Sequence, residues 1–380
     1  MKTLYTKTKL ATATLLILSL SACKIQLNVD GQTVADVNIS KTGIISNKNG
    51  NISVNDTPID TNSTTVIVDG VETDSASLKD GMLVTVTGTE SSDGTAKAQT
   101  IRFEDDVEGE VLDSSIDASG TGSLNVLGQT VLVDTNTVFE SNDINDFTVN
   151  DVDIGNIVEV SGYSNTNGEI QATRIEVKNA DYTPGEKMEL KGSISKLDGN
   201  TFSIGELTIL ADSAVLDDRF NNVLKNGQYV EVSSYNALDA NGNLIASEIK
   251  LKSENGKAVE HDKNDEKVEI KGAITTELNN NELEINGAKI MLDSGSTSNE
   301  IKYGKLKKGN IVEAEGYINT AGVFVATKLE LDEHTTSGEN SDDTDNDEHD
   351  HESNEAREND SDKNDHHRED NDSEDREDND

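Results

Sequence analysis

NGEIQATRIEV, residues 167–177, is a phrase that the chain writes four times. The other copies are DGTAKAQTIRF at 93–103, NGNLIASEIKL at 241–251 and AGVFVATKLEL at 321–331. In each, a glycine (Gly94, Gly168, Gly242, Gly322) supplies the positive φ that a tight hairpin turn needs. An alanine stands four residues on (Ala98, Ala172, Ala246, Ala326) and a large aliphatic seven residues on (Ile101, Ile175, Ile249, Leu329). Between them apolar and polar residues roughly alternate, as a strand with one wet face should. The phrase encodes a turn and the strand that leaves it.

Each copy has a partner upstream. GMLVTVTG (81–88), GNIVEVSG (155–162), GQYVEVSS (227–234) and GNIVEAEG (309–316) read as short strands. Further upstream come KTGIIS, VEGEVL, LKGSIS and IKGAIT, centred on Gly43, Gly109, Gly192 and Gly272, each followed by a middle block such as SLNVLGQTVLVD. The hairpin glycines recur 74, 74 and 80 residues apart. Four anchors keeping step in this way define a tandem repeat of four units.

The expected fold is therefore all-β. Each unit holds about five short strands joined by Gly, Asn and Asp turns, and no segment keeps a helical period. A sheet this small hides its edges by rolling up, so the expectation is four tandem five- to six-stranded antiparallel barrels of the oligonucleotide-binding (OB-like) kind. A stacked sandwich and an elongated solenoid are the alternatives, although the period exceeds that of most solenoid coils. The expected organisation is a cleaved lipoprotein signal peptide at 1–22, an anchor segment at 23–42 and β-repeats at 43–105, 106–180, 186–252 and 266–332. A charged linker occupies 253–265 and a disordered acidic tail 333–380. The units are expected to be beads on a string, each closing its own core.

Gly-x-Val, then VLGQTVLVDTNTVF, then GNIVEVSGY, then NGEIQATRIEV resembles the bacterial family known as domain of unknown function 5666. The resemblance spans residues 43 to 332 and is clearest in the second unit. It departs where Ser234 replaces a strand-end glycine and where the first unit has Thr89 in place of an aromatic. It implies a secreted or lipid-anchored all-β repeat protein and carries over no activity and no site residue.

The N-terminus supports that address. Lys2, Lys7 and Lys9 precede an apolar run from Leu10 to Leu20, too short to span a bilayer, and then Ser21-Ala22-Cys23. This resembles the lipobox of bacterial lipoproteins, in which Cys23 becomes the acylated N-terminus. Cys23 is the sole cysteine of 380 residues, so its position carries weight and no disulfide can form within the chain. Lys24 follows, where an Asp would signal inner-membrane retention, so in a Gram-negative bacterium the outer membrane is expected.

The other end is a different material. Residues 333–380 hold 22 Asp and Glu against 4 Lys and Arg, with Ala356 the single apolar side chain. Such a segment cannot bury enough surface to offset its ordering entropy. The chain as a whole carries −42, with no Trp and 13 Phe plus Tyr. A nucleic-acid groove needs basic charge and stacking aromatics, so nucleic acid is excluded as a partner.

Three residue sets are candidates for chemistry. The tail holds five of the six histidines, and His349, His351, His366 and His367 are weak metal ligands set among carboxylates, without fixed geometry. Tyr163, Tyr235 and Tyr317 stand eight residues after the strand glycine in three consecutive units and are candidates for ligand contact, as a ladder of exposed rings, or for simply covering each hairpin. His261 is the one histidine outside the tail, so an acyl-transfer triad lacks a base in the folded part. The expected function is a non-catalytic, lipid-anchored cell-envelope protein acting as a spacer or binding array. Its partners are the membrane, through the lipid, and a glycan or an envelope protein. A carbohydrate- or protein-binding module is the alternative, and divalent-cation collection by the tail a further one. No cofactor is expected beyond loosely bound divalent cations.

Overall fold

The computed structural model describes residues 26–27, 33–34, 36–141, 147–164, 169–253, 257–261, 265–293 and 306–332. Residues 1–22, expected to be a signal peptide, Cys23, His349, His351, His366, His367 and the acidic tail lie outside these. Among the described residues there is no α-helix: strands carry the chain, with single-turn 3-10 segments at Ser75–Ser77, Val149–Asp151 and Asp218–Phe220.

Each unit is built on five principal strands. In the second unit they are Val107–Ile116, Gly122–Val126, Gln129–Val133, Ile157–Ser164 and Glu169–Asn179. The first strand pairs with the second through Val111 and Val126, and with the fourth through Gly109 and Val158. The second pairs with the third, Leu124 opposite Val131, and the fourth with the fifth, Val160 opposite Ile175. The third and fifth run parallel, with Val131 opposite Ile170. The pairings thus return to the strand they started from. The first unit repeats the circuit with Val37–Lys48, Asn51–Val54, Thr57–Asp60, Leu83–Glu90 and Ala96–Phe103. The fourth does so with Lys267–Ala273, Glu282–Ile285, Ala288–Leu292, Ile311–Ile318 and Phe324–Leu331, closed by a bridge between Ile274 and Ile285. The expectation of purely antiparallel units is corrected by the third-to-fifth pairing. The fourth strand and its loops supply the long crossover that a parallel pair needs.

The repeated hairpin phrase supplies the inner face. Ala98, Ala172, Ala246 and Ala326 are buried, and so are Ile101, Ile175, Ile249 and Leu329. Burying one such aliphatic contributes about 1.5–3 kcal/mol. The strand glycine before the phrase is dictated by a close approach. At Gly162, where the register shifts, an added Cβ would lie 2.3 Å from the carbonyl oxygen of Gln171, and at Gly316 1.9 Å from that of Val325. The third unit has Ser234 there and pays in strand continuity. Its fifth strand is split into Leu244–Ile245 and Glu248–Ser253, and the Ser234 hydroxyl donates to the Ile245 carbonyl at 2.8 Å.

The units are not beads free of one another, which corrects part of the second expectation, although the first and fourth each close a core of their own. The first strand of the second unit pairs with the first strand of the third, Val107 opposite Leu190 and Glu108 opposite Glu189. The first strand of the fourth unit pairs in parallel with that of the first unit, from Lys267 opposite Ile39 to Ile270 opposite Thr42. The second and third units also share one apolar core, in which Leu124, Val131, Phe202 and Leu207 belong to the same cluster. Gln129 donates across that seam to the Ile204 carbonyl at 3.0 Å. Edge strands left bare would invite pairing with other chains, and here the units pair with each other. The stretch expected as a charged linker is partly structural too. Lys257 bridges to Ala288, Val259 packs on the fourth unit's core, and the Glu260 carbonyl accepts from Ser40.

Candidate functional site

The residues that alternation assigns to the wet face of the strands are, in large part, not wet. Glu159 and Glu231, the central residues of two VEV strands, are buried, as are Lys41, Asp105, Arg174, Glu189 and Glu269. Several meet a neighbouring unit: Lys41 pairs with Glu269, and Asp105 with Lys191. A buried charge is tolerated only when paired, and each of these residues has an opposite charge beside it, although Nε and Nη1 of Arg174 and Oε1 of Glu269 make no hydrogen bond with a described residue.

The densest network lies where the end of the first unit meets the third. The Lys191 ammonium donates to the Asp105 carbonyl at 2.7 Å, to its carboxylate at 2.6 Å and to Glu189 at 3.2 Å. Glu189 also accepts from the Ser233 hydroxyl and pairs with Lys187. The Asp105 amide donates to Asp69 of the first unit at 3.0 Å. Glu231 pairs with Lys250 and Lys252, and Lys252 reaches Glu104 at 2.6 Å. Burial pushes the Asp105 carboxyl well up, with Asp69 and Glu189 adding to it and Lys191 opposing. Burial alone would lower Lys191, but Asp105 and Glu189 outweigh it and hold the ammonium charged. Burial also works against Glu189, yet Lys191 and Lys187 bring its carboxyl down to about 2. Asp69, Asp105 and Glu189 with Lys187 and Lys191 form a lock between the first and third units.

A cavity of about 180 Å³ adjoins this network, and all four units reach it: Arg102, Asp106, Lys191 and Asn286 are among its lining. Lys257 enters from the expected linker. It donates to the Ser164 hydroxyl at 2.7 Å, lies 3.6 Å from Asp106 and stands 6.0 Å from the centre of the Tyr229 ring. The space suits a few ordered waters among polar groups better than an organic ligand.

A second cluster joins the fourth and first units. Glu269, Glu313 and Glu315 bring carboxylate oxygens within 4.8 Å of one another. Lys41 pairs with Glu269 at 2.5 Å, and Lys267 and Lys328 pair with Glu315 at 3.1 and 3.0 Å. Burial, with Glu269 beside it, pushes the Glu313 carboxyl up to about 7. Oxygen donors of this kind suit Ca²⁺ or Mg²⁺, but the lysines already occupy the charge. It reads as a salt-bridge cluster.

The three tyrosines are not equivalent. Tyr235 and Tyr317 are exposed, at 49% and 45%, while Tyr163 is buried at 5%. A ladder of one exposed ring per unit is therefore corrected: the first unit abuts the second at this position, and Gly81 lies so close that a Cβ on it would be 2.7 Å from the Thr173 carbonyl. Tyr163 instead lines a cleft between units. His261 is exposed, and its imidazole Nδ1 lies 3.2 Å from the Val259 carbonyl.

Sequence reasoning missed the charge lock, although a signal was present. The outward residue of the fourth strand is Glu159, Glu231 and Glu313 in three units, and the residue before the unit glycine is Lys191 and Lys271 in two. The family model for a domain described as "Domain of unknown function (DUF5666)" matches residues 42–102, 109–176, 191–250 and 271–330. Each match begins within a unit's first strand and ends within its fifth. No curated protein matches the chain.

Proposed function

The chain belongs to the family of domain of unknown function 5666, and we propose that it is a non-catalytic, lipid-anchored cell-envelope protein that holds a stiff four-unit β body away from the membrane. The observation that carries the anchor is Cys23, the sole cysteine, placed directly after Leu20-Ser21-Ala22. Two or more acyl chains would give stable attachment where one is marginal. Lys24 favours the outer membrane in a Gram-negative bacterium. Stiffness is supported by the pairing of first strands between units and by the ion pairs that cover them. The strand order first, second, third, fifth, fourth and back to first favours reading each unit as a small OB-like barrel. Replacing Cys23→Ser in the producing bacterium tests the anchor. The protein should leave the membrane fraction and lose labelling by a palmitate analogue; membrane retention with intact labelling would overturn the reading.

A second reading, a carbohydrate- or protein-binding module, is favoured by one observation: the buried Tyr163 hydroxyl beside a cleft. The acidic tail at 333–380, with its histidines, adds loose capture of divalent cations as a subsidiary role.

A further inference from the structure

Between the first, second and fourth units lies a cleft of about 410 Å³, inside the range of about 300–1,000 Å³ that small-ligand sites occupy. Its rim carries exposed Asp80 and Asn136, while its floor of Ile45, Ala172 and Tyr163 is buried. The Tyr163 hydroxyl is shielded from water and makes no hydrogen bond with any described residue. Buried polar groups almost always have a partner; this one has none among the described residues and no accessible surface, so a ligand reaches it only through a small displacement of the cleft floor. Burial, reinforced by Asp332 and Glu313, pushes the hydroxyl up, so it keeps its proton and can donate.

The remaining chemistry narrows the class. Asp80, Asp134 and Asp332 face the cleft against a single cation, Lys271, which Asp332 already pairs at 2.6 Å. Anionic ligands are repelled. The carboxylates are held rather than bare: Asp134 accepts from the Asn136 amide at 2.7 Å and from the Gln171 side chain at 3.3 Å, and Asp80 accepts from the Asn47 amide. Fixed carboxylates and amides with spare lone pairs suit hydroxyl groups better than a compact cation. Ile44, Val138 and Ile311 add apolar wall for C–H surface.

We propose that this cleft binds a neutral carbohydrate of one or two sugar residues, with Tyr163, Gln171 and Asp134 as its polar contacts. The proposal deepens the second reading above and rests on it. Saturation-transfer NMR on the full-length protein in detergent, with glucose, galactose, N-acetylglucosamine and their disaccharides as probes, followed by calorimetric titration of the best, tests it. At least one probe should bind saturably. Tyr163→Phe should weaken it about fivefold, the worth of one hydrogen bond, while raising the melting temperature of the ligand-free protein, because the unpaired hydroxyl is gone. Gln171→Ala, at a half-exposed position, should weaken binding without that gain. Tyr235→Ala should change neither. Absence of binding at millimolar sugar, with water alone in the cleft, overturns the proposal, as does affinity unchanged in both cleft variants. Binding of polymeric envelope glycan that survives both variants overturns the cleft while leaving the binding-module reading standing.

Discussion

Replacing Lys191→Met removes the one ammonium that Asp105 and Glu189 share where the first and third units meet. Its Nζ lies 2.6 Å from the Asp105 carboxylate and 3.2 Å from Glu189, and the side chains of all three are buried. Met fills a similar volume, so the effect is electrostatic. Leaving such a charge unpaired costs about 3–5 kcal/mol, against about 0–1 for an exposed pair. The midpoint of urea unfolding, followed by far-ultraviolet circular dichroism on the full chain, reads the loss. Asp105→Asn on top of Lys191→Met should restore a large part of it, because one stranded carboxylate disappears. The loss should also shrink at pH 5 relative to pH 8, since burial already favours the protonated form of Asp105. A single-variant loss below about 1 kcal/mol would place this pair in the exposed class and refute the docking of units through it.

Two further outcomes follow from the same seams. Burial pushes Glu108 up to about 7 from 4.5, with Glu159 adding and Lys178 opposing, so the folded chain holds a proton that the unfolded chain releases. That contribution is full below the unfolded value and lost as pH rises through about 7. Glu108→Gln should therefore match the wild type at pH 5 and exceed it at pH 8 by about 1–2 kcal/mol, under a ceiling of about 3 kcal/mol; equal melting temperatures at pH 8 would count against it. Residues 106–252 should give dispersed amide NMR signals as a fragment, whereas 186–252 alone, with Leu207 and Met188 stripped of their neighbours, should not. A well-dispersed spectrum from the shorter piece would restore the picture of self-sufficient units.

How much of this was legible varies with the kind of interaction. The hairpin phrase, its Ala172 and Ile175 positions and the four-fold repetition came straight from spacing, because turn chemistry and inward alternation are local. The parallel third-to-fifth pairing was not legible, since the partners Val131 and Ile170 are 39 positions apart and no local pattern distinguishes a strand's two neighbours. Glu159, Glu231 and Arg174 are buried where alternation alone would put a charged side chain in solvent, for a related reason. Alternation says which side of a strand a residue faces, and only the assembled units say whether that side is covered. Tyr163 shows the same limit: its sequence position equals that of Tyr317, yet one is buried and the other exposed.

The parallel ladder between Ile39–Thr42 and Lys267–Ile270 has a genetic consequence. Tandem copies invite unequal recombination, and an open stack of repeats tolerates the gain or loss of a copy with little penalty to those that remain. Here the last unit rests on the first. Excising an internal copy would separate strands that now meet, expose Lys41 and Glu269 without their partners, and leave two ladder edges bare. Copy number in this chain should therefore be held at four by selection on folding, and variation should fall in the loops between strands.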